Sequence, residues 1–200
     1  MRNLILIGHP NEESFCYNGI FKTIKDELEK NGELVEVIDI YRNSFARPRT
    51  DLINRYKELV TWSDRIYIIS PVWWFRLTPR VETFFDEVFT PGFAYKFVPI
   101  TKVYGYPKPL LSHKKVRTYI THGAPALPVL TIYLNSVKLR LVMGVYSFVF
   151  GWFKTKTRQF WSVPFVSDNK RKKYLDIVRK DILNDLRKKK EKHCFVSTVD

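Results

Sequence analysis

The chain has 200 residues, 45% hydrophobic and 16% aromatic, and carries a formal net charge of +14. This length supports a single domain, residues 1–200, with a substantial core, and the apolar content excludes a disordered chain. The charge surplus suits an anionic partner, whether nucleic acid, membrane surface or phosphorylated small molecule, without choosing among them.

The chain opens on "NLILIG" (3–8), an apolar run that reads as a buried strand and is too short for a secretory signal. A polar loop, "GHPNEESFCYNG" (8–19), leads into a helical stripe of Tyr17, Phe21, Ile24 and Leu28 that Gly32 stops. Amides at such a strand-to-helix junction bind anions through unpaired N–H groups and the helix dipole. The loop matches neither the dinucleotide nor the nucleotide-triphosphate glycine fingerprint. It offers His9, Asn11, Ser14, Tyr17 and Asn18. Ser14 either caps the helix or donates to a phosphate oxygen, and Glu12 and Glu13 must point away from any phosphate.

A mixed strand, "LVEVIDI" (34–40), and a stripe of Leu52, Ile53, Tyr56, Leu59 and Val60 come next, followed by the nearly continuous apolar run of "RIYIIS" (65–70). Pro71, Val72, Trp73, Trp74 and Phe75 leave that strand. Three aromatics in a row cannot all face one core, so at least one lines a cleft and can stack on a planar ring. Val81, Phe84, Phe85 and Val88 mark a third helix, with Thr78 as N-cap and Pro79 in the first turn.

Residues 90–115 contain four prolines and no regular period, the pattern of a lid or interface segment whose Lys96 and Lys102 are candidates to meet a phosphate. "VRTYIT" (116–121) is the fourth strand. Thr121, His122, Gly123 and Ala124 then put small and polar groups at a strand end. Gly123 permits close backbone approach, and His122 is a candidate general acid.

Leu130 to Phe150 reads as one long apolar helix. Asn135, Lys138 and Arg140 near its middle favour burial in protein over a membrane span. "WFKTKTRQFW" (152–161) suits a half-exposed edge strand. Leu175, Val178, Ile182 and Leu186 form a last helix with a basic outer face; "KRKK" (170–173) and "RKKKEK" (187–192) read as solvated. Cys16 and Cys194 form no metal or C-x-x-C pattern, which fits a reducing, cytoplasmic compartment. No zinc spacing, RNA-recognition signature or helix-turn-helix points to nucleic acid.

Strict β-α alternation implies an α/β fold, a doubly wound five-stranded parallel sheet of flavodoxin-like order 2-1-3-4-5 with helices on both faces. Ligands then bind at the carboxyl ends of the strands, at the switch between strands 1 and 3. The loops that follow strands 1, 3 and 4 are the polar and aromatic ones above.

Three segments, "GHPNEESF", "PVWWFRLTPRVETFFDEVFTPGFAYKF" (71–97) and "THGAP", resemble the flavodoxin-like NAD(P)H dehydrogenase (quinone) family, the group of DT-diaphorase and modulator of drug activity. The resemblance extends over nearly the whole chain, and the middle segment is its most specific part. It implies noncovalent FMN or FAD, NAD(P)H as co-substrate, a quinone-type acceptor and a homodimer with the active site near its interface. It implies that His9, Ser14, Phe15 and Cys16 hold the flavin phosphate and ribityl groups. Pro71, Val72, Trp73, Trp74 and Phe75 would run along the isoalloxazine, with backbone N–H groups near N5, and Thr121, His122, Gly123 and Ala124 would meet its pyrimidine end. Hydride would pass through N5 in a two-electron ping-pong cycle.

Three departures stand out. "PALPVL" (125–130) lacks the Tyr and His that assist charge relay in the mammalian quinone reductases. Cys16 stands where Asn is common. His122 stands where a small residue or Thr is common, so its imidazole either narrows the site or takes over proton donation. The compact chain favours FMN, with FAD as the alternative. A one-electron flavodoxin carrier fits poorly, because such carriers are usually acidic. The alternative function is a regulatory flavoprotein subunit of a membrane transport system, with peripheral contact to a membrane protein.

Overall fold

The computed structural model describes residues 1–46, 48–103 and 105–196, with side chains up to Arg187. The strands are β1 (Arg2–Ile7), β2 (Leu34–Asp39), β3 (Arg65–Pro71), β4 (Tyr95–Pro99), β5 (Gly105–Pro109), β6 (Lys115–Thr121) and β7 (Thr155–Phe160). Five of them form one parallel sheet in the order β2-β1-β3-β6-β7. This is the expected doubly wound order, with β4 and β5 set apart as an antiparallel ribbon. The ribbon occupies much of the segment that showed no period in the sequence.

Burial follows position. β3 is buried throughout, and β1 and β6 are buried beyond their first residues, because helices cover both faces. Edge strands β2 and β7 alternate between more and less exposed residues. Successive side chains of β1 point to opposite faces, so Leu4 and Leu6 enter one core and Ile5 and Ile7 the other. The first core packs against α2 (Thr50–Trp62) and α3 (Pro79–Val88). The second packs against α1 (Lys22–Lys30), the π-helical turns Phe15–Phe21 that precede it, and α7 (Asp168–Val196).

Three expectations change. The apolar stretch 130–150 is not one helix: α4 (Ala126–Leu130) ends, a turn follows, and α5 (Ser136–Leu139), π-helical turns Arg140–Tyr146 and α6 (Ser147–Val149) resume. Leu134 and Asn135 adopt φ of 49° and 52°, a left-handed conformation that Asn tolerates and that ends a right-handed helix. Val137, Leu141, Tyr146 and Phe150 are buried, while Ile132, Leu134 and Met143 are exposed. Thr78 is the N-cap of α3 and Pro79 lies in its first turn, as expected, but the Thr78 side chain makes no cap; its hydroxyl donates to the Gly8 carbonyl at 3.0 Å and ties the end of β1 to the start of α3. The inner face of α7 carries Val178 and Ile182 as expected, but Asp181 and Asp185 are buried beside them. The side chains of 188–192 and of Cys194 lie outside the described residues. Among the described residues no helix is long and apolar enough to cross a membrane.

Candidate functional site

The loops at the carboxyl ends of β1, β3, β6 and β7 enclose a cleft of about 650 Å³, within the range of small-molecule sites. It gathers His9, Ser14, Phe15, Cys16, Asn18, Pro71, Val72, Trp73, Thr121, His122 and Gly123, all singled out in the sequence. Trp74, Phe75 and Ala124 lie outside it. They line a smaller adjoining cavity of about 240 Å³ that shares Val72, His122 and Gly123 with the cleft. Lys96, on β4, and Lys102, beyond it, line neither.

The first wall is the β1 loop. Ser14 is extended and its Oγ accepts the Tyr17 amide at 3.2 Å, so it does cap the helix. The first-turn amides of Phe15 and Cys16 have no intrahelical acceptor, which leaves them open to solvent or a ligand. The wide π-helical turn that follows is a geometry frequent at functional sites. Glu12 is drawn away by an ion pair with Arg42, whereas Glu13 lines the cleft. The Cys16 Sγ lies 3.1 Å from Thr121 Oγ1, and burial pushes its thiol up to about 12, so it stays protonated.

The β3 loop is a tight turn in which Trp73 and Arg76 exchange backbone hydrogen bonds of 2.9 and 3.1 Å. Its central residues, Trp74 and Phe75, have φ of 51° and 58°. Bulky side chains rarely adopt such angles, which cost of order 1–3 kcal/mol each. Trp73 lines the cleft, Trp74 is 91% exposed, and Phe75 meets Tyr133 at 4.5 Å between centroids. None of the three belongs to the core. The Val72 amide donates to Thr121 O and the Trp73 amide to Arg76 O. The expectation that amides along this stretch reach a flavin therefore fails for these two; they offer side chains instead.

At the third loop, His122 is buried and its ring stacks on Trp161 at 4.3 Å. Nε2 lies 3.0 Å from Gln159 Oε1. Because that oxygen can only accept, the network assigns the proton to Nε2 and leaves Nδ1 as acceptor. Burial lowers the His122 pKa, with the Gln159 contact opposing, so the ring is neutral at pH 7. His9 is likewise lowered by burial; its Nδ1 accepts the Asn11 amide at 3.0 Å and its ring meets Trp73 edge-on. A Cβ built at Gly123 meets nothing within 4 Å, which marks open space in front of that backbone.

Arg171, at the start of α7, also lines the cleft, held by Asp168 at 2.9 Å and by the Val163 carbonyl. The sequence placed it in a solvated basic run. Only the fold carries that helix start to the β1 loop, and no spacing within the chain signals it. Val163 joins the lining in the same way, whereas Asn18, also in the lining, is among the groups that the β1 loop offers in the sequence.

Residues 1–133 match the family described as flavodoxin-like fold. The chain belongs to this flavodoxin-like family. It is similar to an uncharacterized NAD(P)H oxidoreductase of Haemophilus influenzae, 26% identical over 137 residues that cover 62% of this chain and 65% of that one. Among solved structures, Smu.1420 of Streptococcus mutans superposes with a TM-score of 0.76 and 25% identity, over 92% of this chain and all of the other. An FMN-dependent NADH-azoreductase of Bacillus anthracis, solved with FMN, superposes with a TM-score of 0.71 and 12% identity, over 92% and 98% of the two chains. The flavodoxin-like chain spans between 45% and 65% of the length of the curated relatives it matches.

The lining suits an anionic molecule with a planar ring. Ser14, Asn18, Arg171 and the first-turn amides supply donors and positive charge; Val72 and Trp73 supply apolar surface; Gly123 leaves room for close approach.

Proposed function

We propose that the chain is a flavin-dependent NAD(P)H:acceptor oxidoreductase that binds FMN and reduces a quinone-type small molecule. The observation that supports this reading is the cleft itself: an anion-binding helix start and an aromatic turn, on neighbouring strands, facing one 650 Å³ space. The names of its relatives support the same reaction class. A bound flavin supplies two-electron hydride transfer, first from reduced nicotinamide and then to the acceptor, in a ping-pong cycle.

The protein's part is binding, orientation and proton handling. Ser14, the amides of Phe15 and Cys16, and Arg171 hold the phosphate tail, with His9 beside them. Cys16 and Thr121 close the floor as a neutral hydrogen-bonded pair, and Pro71, Val72 and Trp73 wall the ring. Gly123 and Ala124 present backbone to its polar edge. His122 lines both cavities. With Nε2–H tied to Gln159, it exchanges a proton at Nδ1, in place of the Tyr and His that the family resemblance led one to expect. Trp74 and Phe75, which line the smaller cavity, and Leu127 and Ile132, beyond the β6 loop, are exposed apolar side chains that a second copy would cover in a homodimer.

The visible spectrum tests the reading. The purified chain with FMN is expected to show a protein-bound flavin that NADH or NADPH bleaches and menadione restores. A chain that binds no flavin overturns it; bleaching without turnover would leave the regulatory role.

A further inference from the structure

The amino ends of β3, β6 and β7 lie about 20 Å from the cleft, the length of a six-residue strand. Charge collects there. Arg65 opens β3 and is 1% exposed, and Arg117, one turn of the pleat further along β6, is 5% exposed. In register, Tyr67, Arg117 and Lys156 form one row across the sheet, and Tyr119 pairs with Arg158 in the next but one. From above, α7 lowers two carboxylates one helical turn apart. Asp185 accepts Arg117 at 2.7 and 2.8 Å and Lys156 at 2.9 Å. Asp181 accepts Arg158 at 2.7 and 3.0 Å and pairs with Arg117 at 3.1 Å.

Those two carboxylates are thus committed, and cations still outnumber them. A cavity of about 220 Å³ opens here, lined by Arg65, Lys115, Arg117, Lys154, Lys156 and Asp185: five cations and one carboxylate. Arg65 meets neutral acceptors, the Asp185 carbonyl at 2.8 Å and the Tyr67 hydroxyl at 3.4 Å. Burying a cation without a counter-charge is costly unless an anion arrives to share it. A second, more open cavity continues past Arg117 and Lys156 to Arg158 and Arg187. The recess and its buried guanidinium groups distinguish this pole from a solvated basic surface.

We propose that this pole is a second ligand site, which takes the phosphate group of a small anionic molecule between Arg65, Arg117 and Lys154. Arg117 stays fixed by its carboxylates; Arg65, whose side-chain hydrogen bonds go to neutral acceptors, and Lys154 supply the charge that meets the ligand. The site is independent of the cleft and of the reaction proposed for it.

Isothermal titration of the full chain with inorganic pyrophosphate tests this, with and without saturating FMN. With FMN filling the cleft, one saturable site is expected to remain. Lys154→Gln removes a charge that makes no hydrogen bond or ion pair among the described residues, and should weaken binding about tenfold. Arg171→Gln, in the cleft, should leave it unchanged. Absence of saturable binding, full affinity in Lys154→Gln, or loss of the signal on adding FMN each overturns the proposal. Phosphatidylglycerol vesicles distinguish the source: co-sedimentation that pyrophosphate displaces and Lys154→Gln abolishes places the phosphate on a lipid headgroup, and its absence alongside pyrophosphate binding places it on a free ligand.

Discussion

At the carboxyl ends of the sheet the cleft is lined by hydroxyls, backbone amides, neutral imidazoles and aromatic rings, with Glu13 and Arg171 as its charged side chains. At the amino ends of β3, β6 and β7, five cations and Asp185 line one small cavity. The backbone beneath the first region is tightly packed around Gly8, and the polarity of its lining comes mainly from uncharged groups. The second is held by ion pairs inside the fold. One should therefore fail on added volume and the other on lost charge.

The largest effect is expected at the charged pole. Arg117→Met leaves Asp185 buried with Lys156 alone and removes one partner of Asp181, which should cost about 3–5 kcal/mol. Denaturant unfolding reads it directly, and a loss below about 1 kcal/mol would mean that solvent already screens the network. At the cleft end, Gly8→Ala places a methyl 2.2 Å from Val81 Cγ2 and close to the Thr78 hydroxyl. Overpacking there should cost about 1–3 kcal/mol and loosen the β1 loop, so that FMN retention falls with stability.

Next come losses of binding without loss of fold. Ser14→Ala and Arg171→Gln should each weaken FMN retention by about tenfold, as removal of a charge-assisted or capping contact does. Unchanged retention in both would displace the phosphate from this loop. Acid supplies a smaller effect. His122 and His9 have pKa values lowered by burial, so the unfolded chain binds their protons more readily than the folded one. Stability from these groups is therefore present above the ordinary histidine value of about 6.5 and is lost as pH falls below it towards the folded values. Thermal midpoints measured across that range should show less acid loss in His122→Gln than in the parent.

How far the sequence disclosed this contrast depends on the range of each signal. Local patterns were legible: the apolar runs of β1 and β3, the helical stripe at Val81, Phe84, Phe85 and Val88, and the loops at three strand ends. What escaped was set by tertiary register. Arg171 reaches the cleft only because α7 begins over the β1 loop, and Arg117 and Lys156 face α7 only because β6 and β7 pair in this register. Asp181 and Asp185 carried no signal in the sequence, because a sequence does not show which charges will meet inside. The 130–150 stretch misled for another reason: its apolar period is real, but Leu134 and Asn135 turn the chain left-handed within it.

The smallest effect concerns Trp74, and it separates strain kept for function from strain that is incidental. Its φ of 51° in a tight turn places a 91% exposed indole beside the smaller cavity. Glycine adopts that conformation freely, so Trp74→Gly should leave stability within about 1 kcal/mol of the parent, relief of strain offsetting the greater freedom of the unfolded chain. FMN binding should hold, because Trp74 lies outside the cleft. If the indole shapes the approach of the acceptor, the Michaelis constant for menadione should rise while the rate of bleaching by NADH or NADPH stays constant. A variant unchanged in both half-reactions, and no less prone to associate into dimers, would leave the strained turn without a role and place acceptor recognition on Trp73 and His122.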